Sequence, residues 1–98
     1  MFVILWEYEV KPGCEQRFET VYGGDGDWAR LFRSDSHFQQ TRLLRDLSRP
    51  RHYLTLDYWD LKESFLQFKA AQKEAYTALD LATAGLTVSE RRMATFQA

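Results

Sequence analysis

The stretch Phe2-Val3-Ile4-Leu5-Trp6-Glu7-Tyr8-Glu9-Val10 constrains the fold more than any other part of the chain. It is rich in β-branched and aromatic residues, and it stops at Lys11-Pro12-Gly13, a turn signal. In a strand, successive side chains point to opposite sides. Phe2, Ile4, Trp6, Tyr8 and Val10 therefore share one face, and Val3, Leu5, Glu7 and Glu9 share the other. A strand apolar on both faces has to be covered on both. One short chain rarely has enough helix for that, so a second copy is expected.

The rest of the chain supplies the partners for this strand. Cys14 to Tyr22 has Phe18, Val21 and Tyr22 at helical spacing. Gly23-Gly24-Asp25-Gly26 breaks that helix, and Asp27 is placed to N-cap a short second one over Trp28 to Arg33. Phe38 to Asp46 and Arg51 to Trp59 read as an antiparallel hairpin joined through Leu47 to Pro50. Asp60 and Glu63 form a capping-box pattern at the start of one long helix. That helix carries Phe65, Phe68, Gln72, Ala75, Tyr76 and Leu79 at steps of three and four, with Gly85 as its stop. Ser89 to Gln97 is a final strand.

The order β-α-(α)-β-β-α-β is the ferredoxin-like plan. It predicts an α+β fold, a four-stranded antiparallel sheet with helices on one face. Residues 1–98 make a single domain. The bare sheet face predicts a homodimer with two sheets packed face to face, a dimeric α+β barrel.

Composition excludes several classes. A hydrophobic fraction of 45% supports a packed core. A net charge of -1, with acids and bases mixed along the chain, leaves no basic field for nucleic acid or an anionic membrane. Cys14 is the only cysteine, so no internal disulfide forms. The run Phe2 to Trp6 is too short for a membrane span or a signal-peptide core. A soluble cytoplasmic protein is the expectation.

Three segments carry a family resemblance. They are Phe2 to Gly13, the middle Tyr22-Gly23-Gly24-Asp25-Gly26-Asp27-Trp28-Ala29-Arg30-Leu31-Phe32, and the strand end Asp57-Tyr58-Trp59 with Lys62-Glu63 and Phe65. Together they resemble the antibiotic biosynthesis monooxygenase-like family of dimeric α+β barrels. The resemblance implies oxidation of electron-rich, polyketide-like aromatics without a metal or organic cofactor, or opening of the heme ring. The heme-degrading members use an Asn, a Trp and a His. Only the Trp transfers, onto Trp59. The chain has no Asn, and neither His37 nor His52 lies on the main helix. The polyketide-oxidising members also use an Asn, and it has no counterpart here.

The candidate residues follow from alternation and chemistry. Tyr53, Thr55, Asp57 and Trp59 share one strand face. Arg42 joins them from the second strand, and Glu7 from the first, if the registers match. Asp57 or His52 is the candidate base, and Arg42 the candidate stabiliser of developing negative charge. The alternative for the charged residues is an ion-pair network closing the sheet or the dimer. Trp59, Tyr53, Trp28 and Tyr22 are the candidate substrate walls. Trp59 reads first as a seal between sheet and helix, and Trp28 as core closing the cavity with Leu31 and Phe32, both roles being compatible with a ligand wall. Neither His has a second ligand at metal spacing, so no metal site is expected.

Two functions stay open. One is a cofactor-independent monooxygenase acting on a small electron-rich aromatic. The other is a non-catalytic dimer that binds a small ligand or serves as an accessory protein. The space between sheet and helices separates them. A filled space favours the accessory role, and a polar-lined pocket of about 300 Å³ or more favours ligand binding.

Overall fold

The computed structural model describes all 98 residues. The elements are β1 (Phe2–Val10), α1 (Glu15–Tyr22), α2 (Asp27–Phe32), β2 (Phe38–Arg45), β3 (His52–Trp59), α3 (Lys62–Ala71), α4 (Lys73–Thr83), a single 3-10 turn (Ala84–Leu86) and β4 (Thr87–Gln97). The strands form one sheet in the order β2-β3-β1-β4, and every pairing is antiparallel. This is the ferredoxin-like α+β arrangement, with all the helices on one face. No helix is long and apolar enough to cross a membrane.

The core lies between the sheet and the helices. Phe2, Ile4, Tyr8 and Val10 of β1 point into it, as do Tyr53 and Trp59 of β3. Phe18 and Tyr22 of α1, Trp28 and Phe32 of α2, and Phe65 and Phe68 of α3 close it from above. The interior is largely aromatic. Phe18 stacks on Tyr22 at 4.3 Å, and Trp59 is ringed by Phe32, Phe38, Phe65 and Phe68 at 5.1–5.6 Å.

The opposite face is clothed only in its own side chains. Val3 and Leu5 of β1 and Leu54, Leu56 and Tyr58 of β3 lie half-buried there, and Leu44 and Phe96 are exposed. Glu7 lies on this face too, opposite Leu54. It pairs with Arg91 at 3.1 Å and Arg49 at 3.7 Å, so it does not join Asp57.

Three register shifts interrupt the ladders, the last between Glu9 and Val10, and they set which residues share a face. Phe38 pairs with Trp59 but Gln40 pairs with Tyr58, so Gln39 is an extra residue in β2. Beyond it the alternation is exchanged. Thr41 and Leu43 face the helices, and Arg42, opposite Leu56, faces away. A second shift, between Leu5 and Trp6 in the β1–β4 ladder, leaves Met93 unpaired in β4.

Three local expectations change. Asp60 does not cap α3. Its carboxylate accepts a hydrogen bond from the Gln39 side-chain amide instead, which ties the bulged end of β2 to the end of β3. Asp27 is the first residue of α2, not its cap, and its carboxylate pairs with Arg30 at 3.2 Å. The cap is Gly26. A Cβ there would sit 2.3 Å from the Val21 carbonyl oxygen and 2.4 Å from that of Thr20. Only glycine allows α1 and α2 to approach so closely.

The long helix is also two helices, broken at Gln72 (φ -109°, ψ 27°). The halves have different neighbours. Phe65 and Phe68 of α3 press on Trp59, whereas α4 turns toward α2 and sets Tyr76 edge-on to Trp28 at 5.0 Å.

Candidate functional site

The aromatic core is not filled to its end. Between the sheet and the four helices lies a cavity of about 220 Å³. It opens past Lys69 of α3, Asp80 of α4 and Glu90 of β4, all exposed. This is smaller than the ~300 Å³ of a typical ligand pocket. A dry cavity of about 150 Å³ accepts benzene, however, so there is room for one or two rings.

The floor is polar. Thr41 of β2 and Asp57 of β3 are register partners, and the Thr41 hydroxyl donates to Asp57 Oδ1 at 2.7 Å. Asp57 is 7% exposed. Burial pushes its carboxyl up to about 6, and the Thr41 hydrogen bond, which favours the charged form, holds it back in part. Near neutral pH it is a carboxylate close to its own pKa, as a general base should be. No Lys, Arg or His pairs with it.

The walls are aromatic. Tyr22 comes from the last turn of α1 and Trp28 from the first turn of α2, held by the Gly-rich turn between them. The Tyr22 hydroxyl donates to Thr83 Oγ1 at 3.3 Å, which ties α1 to the end of α4. Tyr8 accepts from Thr55 Oγ1 at 3.4 Å, and burial raises its pKa well above the usual phenol value. Tyr76 is pushed up to about 12 by burial and by the nearby carboxylates.

Of the residues singled out from the sequence, Asp57, Tyr22 and Trp28 border this cavity. Arg42 does not, because the Gln39 bulge turns it to the opposite face. His52 does not either. It alternates with Tyr53 and so lies on the far face, its Nδ1 3.0 Å from the Pro50 carbonyl oxygen and its Nε2 3.9 Å from Glu9. Trp59 is 0% exposed and seals the far end of the core. Tyr53 lies beneath α1 and donates to Glu19 Oε2 at 2.6 Å. Neither ring borders the cavity. Trp6, Thr41, Lys69, Tyr76, Asp80 and Glu90 do, and none of them is a site candidate from the sequence. Alternation from Tyr8 could have flagged Trp6, and alternation from Phe38 pointed away from Thr41. Nothing in the sequence marked Asp80 or Glu90. No three His, Cys, Asp or Glu side chains are grouped to hold a metal ion.

A four-stranded antiparallel sheet carrying a small aromatic-walled, acid-floored cavity under its helices defines a ferredoxin-like α+β protein with a candidate ligand site between its two layers. The profile of the antibiotic biosynthesis monooxygenase family matches residues 1–78, and the chain belongs to that family. Among solved structures it is similar to SnoaB, a cofactor-independent oxygenase from Streptomyces nogalater. The identity is 18% and the TM-score 0.79, over 99% of this chain and 91% of that one. It is also similar to a Deinococcus radiodurans protein that carries the same family description, at 16% identity and TM-score 0.77, over 100% and 92% of the two chains. PA3566 from Pseudomonas aeruginosa aligns at 12% identity and TM-score 0.65, over 99% and 90%. At these identities the likeness is one of fold. No curated protein sequence matches the chain.

Proposed function

We propose that the protein is a cofactor-independent monooxygenase acting on a small electron-rich aromatic, with Asp57 as its base. The observation that carries this reading is an unpaired, buried carboxylate at the floor of an aromatic-walled cavity. The family and the SnoaB-like fold support the same class of reaction. The cavity volume favours a substrate of one or two rings over a larger polyketide.

The chemistry balances without a cofactor. Asp57 takes a proton from an acidic ring CH₂ or phenol, leaving a delocalised anion. That anion passes one electron to dioxygen, giving a substrate radical and superoxide. Their combination at a ring CH₂ carbon, with return of the proton from Asp57, gives a hydroperoxide. Loss of water leaves a carbonyl, so substrate and dioxygen become ketone and water. Tyr22 and Trp28 would hold the ring flat during these steps.

The apolar outer face supports a homodimer in which two sheets meet through Leu5, Leu54 and Leu56, framed by the Glu7 ion pairs. The unpaired Cys14 fits a reducing compartment. The second reading, a non-catalytic ligand-binding dimer, is favoured by one observation: no cation stands beside Asp57 to steady a developing anion. Oxygen uptake with a panel of hydroxylated anthrones, naphthols and catechols distinguishes the two. Uptake that disappears in Asp57→Asn supports the oxygenase. No uptake with any compound by folded protein removes it.

A further inference from the structure

The carboxylates around the cavity are not neutralised by the protein. Asp57 receives the Thr41 hydroxyl on Oδ1 and no donor on Oδ2. Asp80 and Glu90 border the mouth, and neither forms an ion pair. They sense each other, since Asp80 helps to raise Glu90 above the usual carboxylate range, after desolvation. The same acids contribute to the upward shifts of the phenols at Tyr8, Tyr22 and Tyr76. The groups lining the site thus share a negative field.

The only cation on the lining is Lys69. Its ammonium lies over the Tyr76 ring at 4.9 Å and the Phe65 ring at 5.7 Å, and it pairs with no carboxylate. Arg92, two residues beyond Glu90, borders a separate cleft with Phe2 and Phe65. Much of the remaining wall is aromatic. Trp6 stacks with Tyr8, Tyr8 meets Tyr22 at 5.0 Å, and Trp28 meets Tyr76 at 5.0 Å. Aromatic faces and unpaired carboxylates both attract cations and repel anions. The three carboxylates are not grouped to share a metal ion, so an organic cation is the complement.

We infer that the cavity selects an aromatic amine in its protonated form, with the ring packed against Tyr22 and Trp28 and the ammonium at the mouth beside Asp80 and Glu90. The inference rests on the cavity being the substrate site of the proposed oxygenase, and it deepens that reading. A neutral substrate that lost a proton here would become an anion in a negative field. A substrate carrying its own ammonium becomes a zwitterion, neutral overall, so no anion is left uncompensated in the site.

Three phenols of similar size and different charge test this: tyramine, 4-ethylphenol and 3-(4-hydroxyphenyl)propionate. Binding is measured at pH 8 and low salt by calorimetry and by quenching of tryptophan fluorescence. Tyramine is expected to bind at least about tenfold more tightly than 4-ethylphenol, with the carboxylate weakest. In the Asp80→Asn, Glu90→Gln double variant that advantage should shrink at least about threefold while 4-ethylphenol is unaffected. Lys69→Gln should strengthen tyramine binding. Circular dichroism and a thermal melt verify that each variant is folded. Equal or tighter binding of 4-ethylphenol or the carboxylate, or no binding of any of the three at 10 mM, a concentration of roughly the weakest specific affinities, overturns the inference. A tyramine preference without oxygen uptake from any phenol, amine-bearing, neutral or anionic, leaves it standing and removes the oxygenase. Oxygen uptake confined to neutral or anionic phenols does the reverse.

Discussion

Thr41 and Asp57 face each other across the β2–β3 ladder, and the Thr41 hydroxyl donates a 2.7 Å hydrogen bond to Asp57 Oδ1. That bond is the only protein contact that favours the charged form of the proposed base; burial opposes it. Thr41→Val removes the bond and keeps the shape. A hydrogen bond to a charged group contributes about 1.5–3 kcal/mol, and one pKa unit is about 1.4 kcal/mol. The acidic limb of the pH–rate profile is expected at about 6 for the native protein, and it should move up by about one unit in the variant. An unmoved limb would assign the titration to another group.

The raised pKa of Asp57 also makes it a stability liability. The folded state holds this proton up to about 6, while the unfolded chain releases it near the ordinary 3.8. Between those values the folded state binds more protons, so stability falls as pH rises through the window. The loss is complete above it, and amounts to about 3 kcal/mol at most. Asp57→Asn should therefore be more stable than the native protein at pH 8, by roughly 1–3 kcal/mol in urea titrations, and inactive. The difference should close as pH falls toward 4. A variant less stable at pH 8 would contradict this account of the site.

Trp59 answers to packing. It is wholly buried among four Phe rings, and its Nε1 has no hydrogen-bond partner. Trp59→Ala should cost about 3–5 kcal/mol. Trp59→Phe should cost less than about 2 kcal/mol, because it removes a buried donor left unsatisfied. Chemical denaturation of both variants decides this. A small cost for the alanine variant together with lost binding of aromatics would instead make Trp59 a ligand contact.

Gly26 is a steric requirement with a functional consequence. An added Cβ meets two backbone carbonyl oxygens, which cannot swing aside as a side chain would. Gly26→Ala should destabilise by about 1–3 kcal/mol, with α2 shifted. Trp28 lies two residues on, so ligand binding measured under conditions where the variant is folded should weaken as well. Native affinity in a destabilised variant would separate the turn from the site.

The outer sheet face carries a separate prediction. Leu54 sits half-buried in the middle of it, opposite Glu7. Leu54→Glu places a charge where a second copy would dock. Light scattering should report a dimer for the native chain and a monomer for the variant, with the fold intact by circular dichroism. A native monomer at micromolar concentration removes the dimer.

Much of the fold is legible because it depends on local patterns. The two-faced alternation of Phe2–Val10, the Lys11-Pro12-Gly13 stop and the Gly23–Gly26 break are short-range signals, and the element order follows from them. The site was less legible. Alternation within one strand identifies the Asp57 face, but counting through β2 puts Arg42 on it. Such counting assumes an unbroken ladder. The extra residue at Gln39 exists only in the pairing of two strands, where Gln39 meets Asp60, and it exchanges the faces of everything after it. Seen alone, Asp60-Leu61-Lys62-Glu63 is a helix cap; beside Gln39 it ties two strands.

The amino-acid order alone determined the strands, the first helices, the succession of elements and the family, because periodicity, turn chemistry and segment likeness are properties of neighbouring residues. Tertiary structure decided which side chains meet. Asp57, Asp80 and Glu90 come from a strand, a helix and the last strand, and they border one cavity only once the break at Gln72 turns α4 toward α2. No local pattern encodes that convergence, because it depends on where whole elements pack.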